Sequence, residues 1–360
     1  MPAVVLILAF SILPLVMSLI IALSRLRLQS GGFKIRFVGL QNFEKVLFGS
    51  EQYHFPGKFG GMSLLGSAVT LVSAAALLWW LFRAARAGGS ALGLVGRSVT
   101  ALVAWGCITM FAATLLSGHL MGTLGVTLTY VIVGCSLQFF IATALAAICA
   151  RDIKGRSFFR VLFFVPFTIT PAGVGYSFRM LAETQTGPFK PVFQYFGYGD
   201  FAWTADIWVS RFVIIAADSW QWIPFIFIIM LAAFENVSRD QVEAAHVDGA
   251  SGLQIFREIT WPQVAPVAAT VMLIRVIEAF KIIDLPNIMT AGGPGIATES
   301  ATLHAFYKWR SLDFSESAAV AYLLLPVCVG TYWRSYAGHG KPRRVAHRHE
   351  DAEGIRGRFR

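Results

Sequence analysis

Apolar runs long enough to cross a lipid bilayer make up most of this sequence. A bilayer core takes about 20 apolar residues per helical crossing, and several runs reach that length. Only 14% of the 360 residues are charged and the mean hydropathy is +0.62, which leaves too little charge to cover a soluble surface. The pattern predicts an all-α polytopic membrane protein with about eight transmembrane helices. The expected spans are residues 3–24, 62–82, 98–118, 123–149, 161–181, 212–234, 264–285 and 315–333.

The positions of lysine and arginine predict the orientation of the chain. If the N-terminus is cytoplasmic, the segments on the cytoplasmic side carry 17 basic residues and the outer segments carry 10. This bias agrees with the positive-inside rule and predicts that both termini are cytoplasmic. The outer segment 25–61, with six basic residues, opposes it. The net charge of +10 lies mostly in short segments between spans and in the tail, without the basic face and interleaved aromatic residues of a nucleic-acid-binding surface.

Sequence patterns for catalysis and metal binding are missing. The chain has no G-x-x-x-x-G-K-[ST] phosphate loop, no H-E-x-x-H and no C-x-x-C pair, so we expect neither ATP hydrolysis nor a metal site in this chain. The four cysteines lie within or at the ends of apolar segments, where packing is their expected role. Among the seven histidines only His347 and His349 are neighbours in sequence, and two residues make no convincing metal site.

One polar stretch, EAAHVDGASGLQIFREITWP at residues 243–262, interrupts the apolar runs. Ser238 is the expected N-cap of a first short helix, and Gly249 is its expected end, because glycine enters left-handed backbone conformations cheaply. A second short helix is expected over 250–260, with Pro262 at the entry to the next span. Such a helix–glycine–helix fits either docking into a groove on a soluble partner or contact with lipid headgroups.

This stretch resembles the EAA loop of binding-protein-dependent ABC importer permeases. The positions in step are Glu243, Ala244, Ala245, Asp248, Gly249, Ala250, Phe256, Ile259 and Pro262. Trp261 replaces the usual leucine. In that family the loop forms a coupling helix that inserts into a cleft on an ATPase subunit. The resemblance therefore implies that the six residues from Glu243 to Ala250 that match the motif couple this chain to an ATPase, with Gly249 setting the turn.

Further segments resemble the carbohydrate, MalF-like branch of these permeases. They are FVGLQNFEKVL (37–47), GRSFFRVLFFVPFTITP (155–171), WQWIPFIFIIMLAAFENV (220–237) and DLPNIMTAGGPGIATES (284–300). The resemblance implies a subunit of a carbohydrate importer in the bacterial inner membrane that works by alternating access. Its implied partners are a second, MalG-like permease, two subunits that bind ATP and Mg²⁺, and an external solute-binding protein. This chain itself is expected to hold no cofactor.

The resemblance also suggests how the chain is divided. A transmembrane permease domain is expected over residues 1–334, with the coupling loop at 235–263. Two regions depart from the family pattern: residues 55–120, which we interpret as an inserted helical hairpin, and the basic cytoplasmic tail 335–360, which is longer and more charged than expected. The tail is interpreted as solvated or bound to lipid headgroups.

Polar residues within spans are the candidates for contact with a solute, because they are costly to place in a bilayer. Arg275, Glu278, Lys281 and Asp284 recur at three-residue steps, which fits a polar stripe on the translocation path, an internal ladder of salt bridges, or charges near the outer membrane interface. The segment DSWQWIPF offers aromatic faces for sugar rings beside polar groups, although packing would also explain it. The full set of candidates is Asp218, Trp220, Gln221, Trp222, Arg275, Glu278, Lys281, Asp284 and Asn287.

The outer loops are expected to form part of a docking surface for the binding protein. Glycine and proline at 292–295 predict shaped turns. The aromatic residues that suit such a surface, or simply the membrane boundary, are Tyr195, Phe196, Tyr198, Phe201 and Trp203.

Two other functions stay open at this point. A polytopic enzyme acting on lipid-linked sugar would need acidic or histidine clusters on loops, and none converge in the sequence. A permease for a polyol phosphate would need cations in its cavity, which Arg275 and Lys281 could supply.

Overall fold

The computed structural model describes residues 6, 8–29, 32–57, 63–86, 91–113, 121–150, 163–197 and 201–339. The inner segment 151–160, Tyr198 and most of the expected basic tail lie outside the described residues. In chain order the elements are α1 (Leu8–Ala22), β1 (Ser24–Gln29), β2 (Gly32–Phe37), α2 (Gln41–Leu47), α3 (Leu64–Arg86), α4 (Ala91–Phe111), α5 (Thr123–Cys149), α6 (163–168), α7 (Pro171–Ala182), α8 (Lys190–Tyr195), α9 (Ile207–Glu235), α10 (Arg239–Val247), α11 (Gly252–Phe280), α12 (Asp284–Thr290), α13 (Ala301–Arg310) and α14 (Phe314–His339).

The helical membrane fold is confirmed. Among the described residues, four helices are long and apolar enough to cross a membrane: α3, α5, α9 and α11. Helix α1 and the first part of α14 are shorter apolar helices. Helix α14 continues through Pro326.

The expected single span over 161–181 is divided in its described part. Helix α6 ends before Ile169, and α7 begins at Pro171. Thr170 has an extended backbone, and its side chain accepts a hydrogen bond from the Gly173 amide at 3.3 Å. Because a residue before proline avoids the α conformation, Thr170 ends one helix and caps the next.

The expected short helix after Gly249 is continuous with the following span. Ser251 begins α11 with a capping box to Gln254, and a π-helical turn over Phe256–Thr260 leads directly into the α-helix that starts at Trp261. Pro262 lies in the first turn of that α-helix, where its missing N–H is tolerated. The proline therefore does not separate two helices.

A β-hairpin follows α1 and was not expected from the sequence. Its antiparallel strands pair Leu26 with Ile35 and Arg25 with Arg36. The Leu26 amide donates to Ser315 Oγ at 2.9 Å, which fixes the hairpin to the start of α14. The alternation of apolar and basic residues in SRLRLQ and GFKIRF is the period of a strand. Four of the six basic residues in segment 25–61 lie in this hairpin.

Helices α5, α9 and α11 form the centre of the bundle. At the end that carries α10, here called the loop end, they share an apolar cluster that includes Ala146, Met230, Phe234 and Val264. At the opposite, distal end, α5 and α9 share a second cluster that includes Tyr130, Ile214 and Trp203. Both clusters combine small and branched side chains with methionine and aromatic residues.

The region expected as an inserted hairpin contains two helices that pack together. Trp105 Nε1 of α4 donates to the Thr70 carbonyl of α3 at 3.1 Å, and α4 also packs against α14. The turn before the hairpin, residues 51–57, is fastened to the start of α5. The Thr123 amide donates to the His54 carbonyl at 2.9 Å, and the Leu124 amide donates to the Phe55 carbonyl at 3.1 Å.

Candidate functional site

The turn at Gly249 has the backbone conformation that the motif requires. Its φ is +79°, and its amide donates to the His246 carbonyl at 3.1 Å. The Ala250 amide donates to the Ala245 carbonyl at 3.0 Å, so the last turn of α10 is closed as in a left-handed helix cap. An added Cβ at Gly249 would meet no atom within 4 Å. Backbone conformation, and not space, is therefore what requires glycine here.

The loop is fixed rigidly on the bundle. Ile255 is buried, and the Phe256 ring lies 6.4 Å from the ring of Phe234 in α9 and 6.0 Å from that of Trp261. Gln263 Nε2 of α11 donates to Gln241 Oε1 of α10 at 2.7 Å. The loop thus has a defined position relative to both helices that it connects.

The tip of this loop presents apolar side chains to the surroundings. Val247 is 88% exposed and Leu253 is 77% exposed, one on each side of Gly249. Glu243, Ala244, Asp248 and Gly249 are exposed, and Ala245 and Ala250 are partly exposed. A cavity of about 760 Å³ lies beside the tip and is lined in part by Glu243 and Phe234. Exposed apolar residues on a rigid, polar-rimmed projection are typical of a docking element.

A buried polar triad joins the three central helices. Arg275 of α11 forms an ion pair with Asp218 of α9, and its Nε donates to Gln138 Oε1 of α5 at 2.6 Å. Gln138 Nε2 in turn donates to Asp218 Oδ2 at 2.7 Å. All three side chains are buried, and Arg275 lies over the Trp222 ring at 4.7 Å. Each charge is therefore neutralised and hydrogen-bonded, as a buried pair requires.

The sequence analysis identified Asp218 and Arg275 as separate candidates for contact with a solute, but it did not identify Gln138. Nothing in the spacing along α5 marks this glutamine, because its partners come from two other helices. A single amide in an otherwise apolar span, CSLQFFIATALAA, is the signal that could have found it.

The other solute candidates are dispersed. Lys281 pairs with Glu278 at 2.5 Å at an exposed position, whereas Arg275 turns to α9, so the four residues do not form one continuous ladder. Asp284 is exposed at the start of α12. Asn287 Oδ1 accepts a hydrogen bond from the Tyr307 hydroxyl at 3.1 Å.

The aromatic candidates on α9 have different surroundings. Trp220 is 43% exposed and packs against Phe178 at 5.6 Å. Trp222 packs against Phe167. The side chain of Gln221 donates to the Ile169 carbonyl at 2.7 Å, where it satisfies a carbonyl exposed by the break between α6 and α7. Of these three residues, Trp220 has the most exposed side chain.

The distal loops contain a tightly bonded turn at 291–298. Gly292 and Gly295 have positive φ values, and Thr298 Oγ1 donates to the Gly293 carbonyl at 2.8 Å. Of the outer-loop aromatic residues, Tyr195 and Phe196 are largely exposed, whereas Trp203 is buried in the core. Trp203 is therefore not part of a docking surface.

A second polar network at the distal end has no counterpart in the sequence interpretation. The Glu299 carboxylate contacts His54 Nε2 at 3.1 Å and His304 Nδ1 at 3.0 Å. Nearby, Lys308 Nζ lies 2.9 Å from Glu51 and 2.7 Å from Glu316. Burial alone would raise the pKa of Glu299, but the hydrogen bonds from the two histidines outweigh it and hold the pKa below its ordinary value. Glu299 is thus a stable carboxylate at neutral pH.

Comparison with known sequences assigns the family. Residues 142–333 match the family described as "Binding-protein-dependent transport system inner membrane component". The chain belongs to this family. The matched region holds the coupling loop, most of the polar triad and the distal loops, and the two helices of the inserted region lie outside it.

Relatives and solved structures are consistent with this assignment. A probable ABC transporter permease protein of Sinorhizobium fredii is 30% identical over 63% of this chain and 75% of its own length. The trehalose/maltose transport system permease protein MalF of Thermococcus litoralis is 29% identical over 55% of this chain and 67% of its own. A crystal structure of a bacterial ABC transporter for import of the acidic polysaccharide alginate has a chain that shares the fold, with a TM-score of 0.58, 16% identity and coverage of 94% and 93%.

Proposed function

We propose that this chain is a membrane-spanning permease subunit of an ATP-driven importer for a carbohydrate. The observation that carries the proposal is the exposed, rigidly mounted turn at Gly249, with Val247 and Leu253 unpartnered on either side. In this proposal the turn inserts into an ATPase subunit, which binds ATP and Mg²⁺. Glu243, Ala244, Ala245, Asp248, Gly249 and Ala250 form or support the contact.

The proposed assembly contains a second permease, two ATPase subunits and an external solute-binding protein. The family description supports dependence on a binding protein and a place in the inner membrane. We infer that the loop end faces the cytoplasm and that both termini are cytoplasmic. The distal end, with its bonded turn at 291–298 and the exposed Tyr195 and Phe196, then faces the binding protein.

We propose a carbohydrate as the solute for two reasons: the solutes named for related permeases, and the pairing of the cationic side chains in the candidate set. One relative is named a trehalose/maltose permease and another an sn-glycerol-3-phosphate permease. The phosphate alternative needs free cations on the path, but Arg275 is paired with Asp218 and Lys281 with Glu278. The exposed face of Trp220 can stack on a neutral sugar ring. These pairs favour a neutral carbohydrate over a polyol phosphate.

A membrane enzyme acting on lipid-linked sugar has less support. The histidine and glutamate cluster at the distal end is the kind of group that it would need. However, His304 is fully buried and Glu299 is 4% exposed, so these two catalytic candidates have no open cleft for a substrate.

A matched pair of glycine variants tests the coupling contact. Gly249 and Gly197 both have a φ of +79°, and an added Cβ at either would meet no atom within 4 Å. An L-residue in this conformation costs about 1–2 kcal/mol, and valine, being branched at Cβ, is an especially poor fit. Gly249→Val and Gly197→Val therefore impose the same kind of local strain at opposite ends of the bundle.

The experiment is to tag the chain, extract it gently from its native membrane and quantify the co-purifying proteins. Wild type and Gly197→Val should bring an ATPase and a second permease. Gly249→Val should retain the second permease and lose most of the ATPase. Absence of any ATPase from wild type in several mild detergents would overturn the proposed function, and equal recovery from both variants would overturn the role of the loop. Stimulation of ATP hydrolysis by neutral oligosaccharides, compared with sn-glycerol 3-phosphate, then tests the solute class.

A further inference from the structure

Three side chains with metal-binding atoms meet at the distal end. Glu51 and His54 come from the turn before the inserted helices, and His304 comes from α13. One ligand atom from each residue lies within 4.8 Å of the others. The two histidine rings lie 4.1 Å apart. Chain segments from opposite ends of the sequence thus bring together two imidazoles and one carboxylate.

His304 carries the observation that points to a ligand. Its side chain is fully buried. Nδ1 contacts Glu299, but Nε2 is buried and has no hydrogen-bond partner among the described residues. Buried polar atoms are nearly always paired, and an orphaned nitrogen requires an explanation. A metal ion bound through Nε2 would supply the missing partner.

Glu299 orients both histidines in the way that metal sites require. Its carboxylate accepts a hydrogen bond from His304 Nδ1 and from His54 Nε2. A neutral imidazole with its proton on the nitrogen that faces Glu299 keeps a lone pair on its other nitrogen, which is Nε2 in His304 and Nδ1 in His54. This is the carboxylate–histidine–metal arrangement, in which the carboxylate fixes the tautomer and raises the basicity of the ligand.

The charged side chains around these ligands have a net negative charge, which favours a bound cation. Glu51, Glu299 and Glu316 carry three negative charges, and Lys45 and Lys308 carry two positive ones, so these five groups sum to −1. Lys308 Nζ forms an ion pair with Glu51 Oε1 at 2.9 Å and a second ion pair with Glu316 Oε1 at 2.7 Å. A metal ion at Glu51 would displace Lys308 from one carboxylate while the lysine keeps the other.

We propose that Glu51, His54 and His304 bind a divalent transition-metal ion of the zinc type, with Glu299 as the positioning residue. Two imidazoles and one carboxylate suit zinc, whereas calcium and magnesium prefer sites made of oxygen ligands alone. Tetrahedral zinc with bonds of about 2.0–2.1 Å needs ligand atoms about 3.3 Å apart. Glu51 and the partly exposed His54 lie on a turn and supply this closure, and water fills the fourth position. The ion links the turn 51–57 to α13.

The test measures metal binding by the whole assembly, purified with a tag that contains no histidine. After removal of metal with a chelator, Zn²⁺ is titrated by calorimetry, and Co²⁺ is added separately as a probe of tetrahedral coordination by visible absorption. The variants are His54→Gln and Glu51→Gln, whose side chains are only partly buried, and Glu299→Gln. The control is the tail variant His347→Gln/His349→Gln, which removes the histidines that are neighbours in sequence.

We expect one tight equivalent of Zn²⁺ in wild type and in the tail variant. His54→Gln and Glu51→Gln should lose it, and Glu299→Gln should bind 10- to 100-fold more weakly. Zinc bound by partner subunits is the same in every variant and cancels in the comparison. No tight equivalent in wild type, unchanged binding in His54→Gln, or loss in the tail variant would each overturn the site. These outcomes do not depend on transport, so they are separate from the test of the proposed function.

Discussion

The triad of Arg275, Asp218 and Gln138 should contribute more to stability than the exposed ion pair of Lys281 with Glu278. Arg275→Met leaves the Asp218 carboxylate buried without its cation. Asp218→Asn leaves the guanidinium buried without its anion. Breaking a buried pair from either side costs about 3–5 kcal/mol, because it leaves one buried charge uncompensated.

The double variant distinguishes an ion pair from two independent packing residues. Asp218→Asn combined with Arg275→Met removes both charges, so its cost should fall short of the sum of the two single costs by about 2–3 kcal/mol. The matched control is Lys281→Met. Lys281, the residue directly after α11, is also paired with a carboxylate, but its side chain is 60% exposed, and the loss of such a pair costs less than about 1 kcal/mol.

The assay is unfolding of the purified assembly with a denaturing detergent, followed by tryptophan fluorescence. Trp222 lies under Arg275 but is one of ten tryptophans in this chain, so the fluorescence signal reports global unfolding. Additive single costs would refute the paired arrangement. If Arg275→Met unfolds like wild type but loses stimulation of ATP hydrolysis by the solute, then Arg275 belongs to the translocation path and the structural interpretation is wrong.

Two further predictions concern the distal end. An added Cβ at Gly122 would lie 2.3 Å from the Phe55 carbonyl oxygen, whereas an added Cβ at Gly106, within α4, would meet no atom within 4 Å. Gly122→Ala should therefore lower the thermal midpoint of unfolding. Gly106→Ala should stabilise the fold by about 0.5–1 kcal/mol. A lower midpoint for Gly106→Ala than for Gly122→Ala would contradict this packing. The pKa of Glu299 is held below its ordinary value of 4.5, so its stabilising contribution is present above that pH and is lost as the pH falls through the lower folded pKa. Glu299→Gln should therefore reduce the loss of stability at acid pH. An unchanged loss of stability at acid pH would show that other carboxylates cause it.

The features that could be predicted from the sequence are those encoded locally. Apolar length predicted α3, α5 and α9, and the glycine in DGA predicted the turn at Gly249. Local signals also existed where the prediction failed: Pro171 marks the break before α7, and the alternation in SRLRLQ marks a strand. The break was overlooked because the apolar content of residues 161–181 suggested one continuous span, and the strand was overlooked because segment 25–61 was interpreted only as an outer loop.

The contacts between helices could not be predicted in this way. His54 and Glu299 are 245 positions apart, and Gln138 and Arg275 are 137 positions apart. No spacing rule connects residues at such distances. The three-residue periodicity that suggested a ladder from Arg275 to Asp284 was real, but Arg275 found a buried partner on α9, where its charge is better compensated than by Glu278 near the helix surface.

The position of the triad bears on how movement of the loop would reach the rest of the bundle. Helix α9 ends immediately before the loop and α11 begins immediately after it, so a force on the turn at Gly249 acts on both helices. The triad cross-links these two helices to α5 through Asp218 in the first half of α9 and Arg275 near the distal end of α11, and the apolar cluster around Phe234 and Met230 joins them at the loop end. We expect three helices tied at two levels to move as one body. The break at Ile169–Thr170 and the break between α11 and α12 lie outside this body, and we expect a change between inward-facing and outward-facing states to be absorbed there.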